Sequence, residues 1–104
     1  MSNFTKYGTI TGDTSTDWCS CRGWVTLSNH IDSGTGTMTW SFKGPDGVER
    51  TIIAGSDNIT AQAYTASHMV NVFFGGDVQV RGTVSGSSTP QFDWQIIGSS
   101  WNRQ

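Results

Sequence analysis

The chain has 104 residues and a mass of 11.3 kDa, which allows one domain with one modest hydrophobic core. Charged residues make up only 13% of it, whereas Thr (14), Ser (13) and Gly (13) fill 40 positions, a composition that favours strands over helices. The net charge of −2 and the scattered basic residues argue against nucleic-acid binding. The absence of a long apolar run argues against a membrane span.

Taken in chain order, short segments of strand character alternate with turn signals. In the first half these are a weak strand at Phe4–Thr11, a strand interrupted at Gly23 (residues 17–28), a turn at Asp32–Gly36, an alternating strand at Thr37–Lys43, a hairpin turn at Gly44–Gly47 and a return strand at Val48–Ala54. In the second half they are a short strand around Ala61–Tyr64, strands at Met69–Phe74, Val78–Val84 and Gln91–Ile97, a turn at Gly75–Asp77 and a loop at Ser85–Pro90.

Turn signals every 8 to 12 residues are typical of an all-β domain. We therefore predict one domain over residues 1–104, folded as a single antiparallel β-sandwich or jelly roll of about seven to eight short strands. Its core is predicted to contain six large apolar residues whose positions alternate with polar ones, namely Trp40, Phe42, Phe74, Val80, Trp94 and Ile96.

Cys19 and Cys21 form a C-x-C pair whose side chains share one face of an extended strand. Their Cα atoms would lie about 6.5–7 Å apart, at the outer limit for a disulfide, so we expect reduced cysteines packed in the domain. A zinc site would need His30 and His68, which lie in separate predicted turns. We expect no metal and no cofactor.

Asp32-Ser33-Gly34-Thr35 resembles the Asp-Thr/Ser-Gly signature of aspartic proteases, and Ile96-Ile97-Gly98 resembles the apolar segment near their C-terminus. A retroviral-type dimer would bring two Asp32 carboxylates together to activate water. However, the residues before Asp32 are not the apolar strand that the family has there. An ordinary turn is the alternative that we favour. With no other catalytic pattern in the chain, we expect a protein that is not an enzyme.

Three tryptophans lie outside the alternation of the predicted strands, namely Trp18, Trp24 and Trp101. Exposed aromatic side chains serve both protein interfaces and sugar-binding platforms, although Trp18 and Trp24 could equally close the ends of a sandwich. We interpret these three residues and Phe4 as candidate partner-binding residues. Residues 1–6 and 99–104 are candidate docking arms.

Residues 34–98 resemble small β-sandwich virion proteins of tailed bacteriophages. The resemblance lies in the Gly/Thr-rich segment Gly34–Phe42, the Pro-Asp-Gly turn that follows, Phe74–Arg81, and the Val84–Pro90 segment before the last alternating strand. It implies a capsid decoration or cement protein, or a neck or tail accessory, and brings no catalytic residues.

The sequence thus leads to the hypothesis of a non-enzymatic decoration protein that binds the major capsid protein and stabilises the shell. Such a protein would be made in the host cytoplasm, because no signal sequence is apparent, and would lie on the outer capsid surface of the virion. We expect a homodimer or homotrimer that binds neither nucleic acid nor membranes. The alternatives are a carbohydrate-binding module, with Trp18, Trp24 or Tyr64 contacting a glycan, and a tail or neck adhesin; the Asp32 protease is a remote one.

Overall fold

The computed structural model describes residues 2–52 and 63–100, and the side chains of residues 5–52 and 63–98 among them. Their strands are β1 (Ser2–Ile10), β2 (Cys19–Lys43), β3 (Glu49–Thr51), β4 (Ala63–Tyr64) and β5 (His68–Ser100). All pairings are antiparallel, in the order β1-β5-β2-β3, with β4 also paired to β2. The described residues contain no helix, so the prediction of an all-β antiparallel fold is confirmed.

The two long strands bend, and each contributes to two parts of the sheet. In one part, residues 23–29 of β2 pair with residues 68–74, and the adjoining stretch 25–31 pairs on its other edge with residues 92–98, which lie next to β1. In the other part, residues 37–43 pair with residues 79–85.

Side chains from these two parts meet in the interior. The rings of Phe42 and Phe74 have centroids 5.6 Å apart, and Trp40 Nε1 donates a hydrogen bond of 2.8 Å to His68 Nε2. Phe42 and Trp40 belong to one part of the sheet, Phe74 and His68 to the other. The folded-over sheet therefore packs against itself, an arrangement compatible with the predicted β-sandwich.

The structure has fewer and longer strands than the seven to eight short ones expected. The predicted turn at Asp32–Gly36 lies inside β2 and the predicted loop at Ser85–Pro90 lies inside β5, because these two irregular segments pair with each other through several register shifts. Gly34 makes this possible: its φ is 80°, and a Cβ there would lie 2.1 Å from the carbonyl oxygen of Thr89. Only glycine allows the two backbones to approach this closely.

Two predicted backbone features are confirmed. β2 continues through Gly23 but is irregular there, with a φ of 73° and register shifts on the N-terminal side of Gly23, as expected of a bulged strand. The Gly44–Gly47 turn is closed by a hydrogen bond from the Gly47 amide to the Gly44 carbonyl, and the Asp46 carboxylate accepts one from the Val48 amide. The return strand β3 is shorter than predicted within the described residues, and the part of the prediction at residues 53–54, like Ala61, lies outside them.

The core contains the predicted large residues and several more. Trp40, Phe74, Val80 and Ile96 are buried, while Phe42 and Trp94 are partly buried against them. The other buried apolar side chains are Ile10, Cys19, Cys21, Val25, Leu27, Met38, Ile52, Val84 and Phe92. The segments of β1, β5 and β2 that pack one face on this core expose their other face to solvent.

Candidate docking face

The solvent side of the sheet around β1 carries a group of large apolar side chains. Residues of β2 with even numbers from 24 to 28 alternate with buried odd-numbered neighbours, so they and their cross-strand partners point outward. The exposed large side chains on this side are Tyr7 (76% exposed), Met69 (71%), Trp24 (65%), Phe73 (58%) and Ile97 (36%). We call these five residues the aromatic face.

Trp24 and Phe73 form the most prominent pair of this face. They lie directly opposite each other on β2 and β5, with ring centroids 5.3 Å apart and planes inclined at 60°. A tilted contact of this kind stabilises the pair but does not make one flat surface. The pair is thus a raised apolar ridge rather than a planar platform.

The aromatic face is uncharged at its centre and charged at its ends. Thr26 and Asn71 lie in the middle and hydrogen-bond each other at 2.7 Å. At the end of the face next to Trp24, Arg22 approaches Asp77 at 3.6 Å. At the opposite end, Asp93 accepts a hydrogen bond from Thr9. Four adjacent strand segments make the face roughly 14 Å wide at the usual strand spacing. Such a surface can be desolvated at little electrostatic cost.

Trp18 belongs to a different cluster, on the other part of the sheet. Its ring is half-buried and contacts two cations, with Lys43 Nζ 4.3 Å and Arg81 Cζ 4.5 Å from the ring centroid. Arg81 in turn pairs with Glu49 at 2.9 Å, and Glu49 accepts a hydrogen bond of 2.6 Å from Ser41. The hydrogen bond from Ser41, followed by that from Arg81, holds the pKa of Glu49 below its usual value. Trp18 is therefore engaged within the domain.

The predicted binding residues are thus separated. Trp24 is on the aromatic face and Trp18 is in the cation cluster, whereas Tyr64 stacks on His68 with centroids 3.8 Å apart and is half-buried. Phe4 lies in β1 opposite Gly98, but its side chain is outside the described part, as is Trp101. Of the candidate arms, residues 2–6 pair with residues 96–100 as sheet; the rest lies outside the described residues.

Asp32 is not in the turn that the sequence suggested. It lies in β2, where the strand bends, and its side chain is exposed. A protease dyad needs a shielded pair of carboxylates, and in the single chain the Asp32 carboxylate is not shielded. The structure thus gives the protease alternative no support.

Cys19 and Cys21 are both free thiols and both buried. Contact with Cys19 and burial raise the pKa of the Cys21 thiol far above its usual value, so that thiol stays protonated. Within the described residues, no three His, Cys, Asp or Glu side chains form a group that could hold a metal ion. That same part of the chain includes no helix long and apolar enough to cross a membrane.

His68 had no recognisable partner in the sequence, but it has three in the structure. Its Nε2 accepts a hydrogen bond from Trp40, its Nδ1 lies 3.1 Å from the Ala66 carbonyl, and its ring stacks on Tyr64. Since the Ala66 oxygen can only accept, Nδ1 carries the proton and the ring is neutral. Burial lowers the pKa of His68 accordingly.

Four exposed residues of the aromatic face were not predicted from the sequence, namely Tyr7, Met69, Phe73 and Ile97. All four were assigned to strands without being recognised as a surface. For Met69 and Phe73 a signal was present in their odd-numbered alternation with the half-buried Val70 and Val72.

No family model matches the chain, and no curated protein matches it. Among solved structures, it is similar to a chain of the "Structure of infectious bursal disease virus Gx strain", with 12% sequence identity and a TM-score of 0.37. The similarity covers 98% of this chain and 35% of the viral chain. This chain thus spans about a third of the length of that viral chain.

Proposed function

We propose that this chain is a non-enzymatic virion protein of a tailed bacteriophage, which decorates the capsid by binding the major capsid protein through the aromatic face. The observation that carries the docking role is the exposed apolar ridge of Trp24 and Phe73, which shares the aromatic face with Tyr7, Met69 and Ile97. Aromatic residues are enriched at the centres of protein interfaces, where charged residues are depleted. The phage assignment and the outer-surface location rest on the sequence resemblance of residues 34–98.

A small face is sufficient for such a role. At roughly 14 Å by 17 Å, the width of four strand segments and the length of five strand residues, the aromatic face is smaller than the roughly 800 Å² per partner that a stable soluble complex buries. On a capsid the binding sites repeat over a symmetric lattice. When copies of the protein are linked to each other, the binding of one copy keeps the others close to their sites, so weak individual contacts add up to stable attachment. The low charge of the chain also limits repulsion between neighbouring copies, since only 13% of its residues are charged.

Sedimentation with phage particles that lack the protein tests this proposal. We expect saturable binding at a fixed ratio to the capsid protein and particles that resist heat better when the protein is bound. The double variant Trp24→Ser/Phe73→Ser should lose binding. The matched control is Val48→Ser, which removes another exposed apolar side chain (51% exposed) outside the aromatic face.

The outcomes separate the two parts of the proposal. If wild-type protein does not bind heads, the capsid role is wrong. If it binds and the double variant binds equally well, the capsid role stands and the aromatic face is not the docking surface. Binding to tails in place of heads would identify a tail accessory.

Glycan binding is the second candidate, favoured by the 65% exposure of Trp24. A sugar ring stacked on Trp24 would quench its fluorescence, and the change would be absent in Trp24→Phe if the response comes from that indole. The inclination of Phe73 leaves room for one sugar ring rather than an extended chain across both side chains. A glycan array without any hit would remove this candidate.

A further inference from the structure

β1 is the edge strand of the sheet. It is the last strand in the order β1-β5-β2-β3, and within the described residues its nine residues pair with β5 alone. The pairing runs without a register shift from Ser2 opposite Ser100 to Ile10 opposite Phe92. The outer edge of β1 thus presents a regular row of backbone donors and acceptors.

This edge has only one of the devices that usually prevent edge strands from pairing. Proteins normally blunt such an edge with prolines, charged side chains (above all lysine), bulges or a very short strand. β1 has no proline and no bulge and is nine residues long, so Lys6, its single charged residue, is the one such device. Tyr7, the most exposed large side chain of the aromatic face, stands in the middle of the edge.

We propose that β1 pairs antiparallel with β1 of a second copy of this chain, about a twofold axis at Tyr7. In this register Tyr7 lies opposite the partner's Tyr7, Thr5 lies opposite the partner's Thr9, and Lys6 lies opposite the partner's Gly8. The ladder then covers residues 4–10, which is about 23 Å of strand. The inference is independent of the virion assignment.

Charge and side-chain pairing select this register. Centring the axis on Lys6 would place two ammonium groups directly opposite each other, which destabilises an antiparallel pair. Centring it on Gly8 would leave only residues 6–10 in the ladder, because β1 ends at Ile10. Centring it on Thr5 separates the lysines but places Tyr7 opposite an asparagine. The Tyr7 register alone combines an aromatic pair and two Thr–Thr pairs with separated charges.

The pairing also determines what happens to the aromatic face. Residues opposite each other on antiparallel strands point to the same side of the sheet. The faces of the two copies therefore join into one continuous surface with the Tyr7 pair at the seam and Ile97 beside it. A seven-residue ladder buries less than the roughly 800 Å² per partner of a stable interface, so we expect a dimer that dissociates on dilution.

Sedimentation velocity over a wide micromolar range of concentration tests the dimer. We expect wild type and Tyr7→Phe to dimerise as concentration rises. Tyr7→Lys and Tyr7→Glu should each remain monomeric, because like charges meet across the axis. An equimolar mixture of these two variants should dimerise again. Tyr7 is 76% exposed, so the substitutions leave the fold intact, which circular dichroism verifies.

A wild-type chain that is monomeric throughout, or that forms trimers, would overturn the proposal. So would dimers of Tyr7→Lys as stable as those of the wild type. Capsid binding is measured separately, with the Trp24→Ser/Phe73→Ser variant, so failure of the dimer and failure of the capsid role are distinguishable.

Discussion

Trp40 and His68 join the two parts of the folded sheet through a hydrogen bond of 2.8 Å from the indole Nε1 to the imidazole Nε2. The bond requires a neutral imidazole, because a protonated Nε2 would direct a second hydrogen at the indole N–H. His68 lies opposite Asn29 at the start of β5. Its protonation state therefore bears on how β4 and β5 are attached to the core.

Acidification should weaken the fold through His68. Its pKa is lowered by burial, so the unfolded chain binds this proton more readily than the folded one. The contribution of His68 is complete above its ordinary pKa of 6.5 and is lost as pH falls from there through the folded-state value. We expect a loss of about 1 kcal/mol, the usual net value of one hydrogen bond. Urea unfolding between pH 8 and about pH 5 measures it.

The two histidines provide the control for this experiment. His68→Gln should flatten the pH dependence in that range, whereas His30→Gln, at an exposed position, should retain it. Equal flattening by the two variants would contradict the assignment to His68.

Replacing Asn29 should stabilise the protein. Asn29 is 1% exposed, and neither atom of its amide reaches a hydrogen-bond partner within residues 5–52 and 63–98. A buried polar group without a partner costs about 1–3 kcal/mol. Asn29→Leu should therefore raise the free energy of unfolding by a similar amount, measured by urea denaturation. Ser41→Ala is the contrasting variant, because buried Ser41 has a partner in Glu49 and its removal should destabilise. A destabilised Asn29→Leu would show that the amide is in fact satisfied.

Gly34→Ala should be strongly destabilising. The new methyl group would lie 2.1 Å from the backbone oxygen of Thr89, in addition to the strain of an alanine at a φ of 80°. We expect a loss above about 2 kcal/mol, since left-handed strain alone costs about 1–2 kcal/mol. Gly86→Ala measures the left-handed strain alone. Gly86 has a φ of 59°, but a Cβ added there would have no atom within 4 Å to clash with. Thermal melts of the two variants should differ clearly; equal melting temperatures would show that the close approach to Thr89 is relieved.

Trp24 and Phe73 should contribute little to stability. Both are more than half exposed, so their contact adds only about 0.5–1 kcal/mol, as cross-strand aromatic pairs do. A double-mutant cycle with Trp24→Ala and Phe73→Ala, followed by urea unfolding, measures that coupling. A coupling of several kcal/mol would indicate that the ridge supports the fold and was not left exposed for a partner.

The sequence predicted those elements whose signals are local. The alternation around Trp40 placed the core strand correctly, and the Pro45-Asp46-Gly47 turn has the expected hydrogen bonds. Prediction from the sequence failed where two irregular segments pair with each other. Asp32–Gly36 and Ser85–Pro90 each have the composition of a turn, and only their mutual pairing across the sheet makes them strand.

The candidate site was predicted only in part, for a similar reason. Trp24 was singled out because it departs from the core pattern, but its partner Phe73 lies 49 positions further along the chain and was assigned only to a strand. The opposite error concerns Trp18, whose cation partners Lys43 and Arg81 come from two other segments. The alternation of neighbouring residues can indicate that such a side chain is exposed, but it does not identify its long-range partner.

The double use of β2 and β5 affects how the chain reaches this structure. Most of the paired residues in the described ladders join residues 19–43 to residues 68–100, so few native contacts connect neighbours in sequence. During synthesis, β2 leaves the ribosome before β5 has been made. Until then, the backbone hydrogen-bonding groups and apolar side chains of β2 have no partner strand. Folding of such high-contact-order topologies is slow, on the order of milliseconds to seconds. We therefore expect nascent chains of this protein to depend on chaperones that shield residues 19–43 until β5 has left the ribosome.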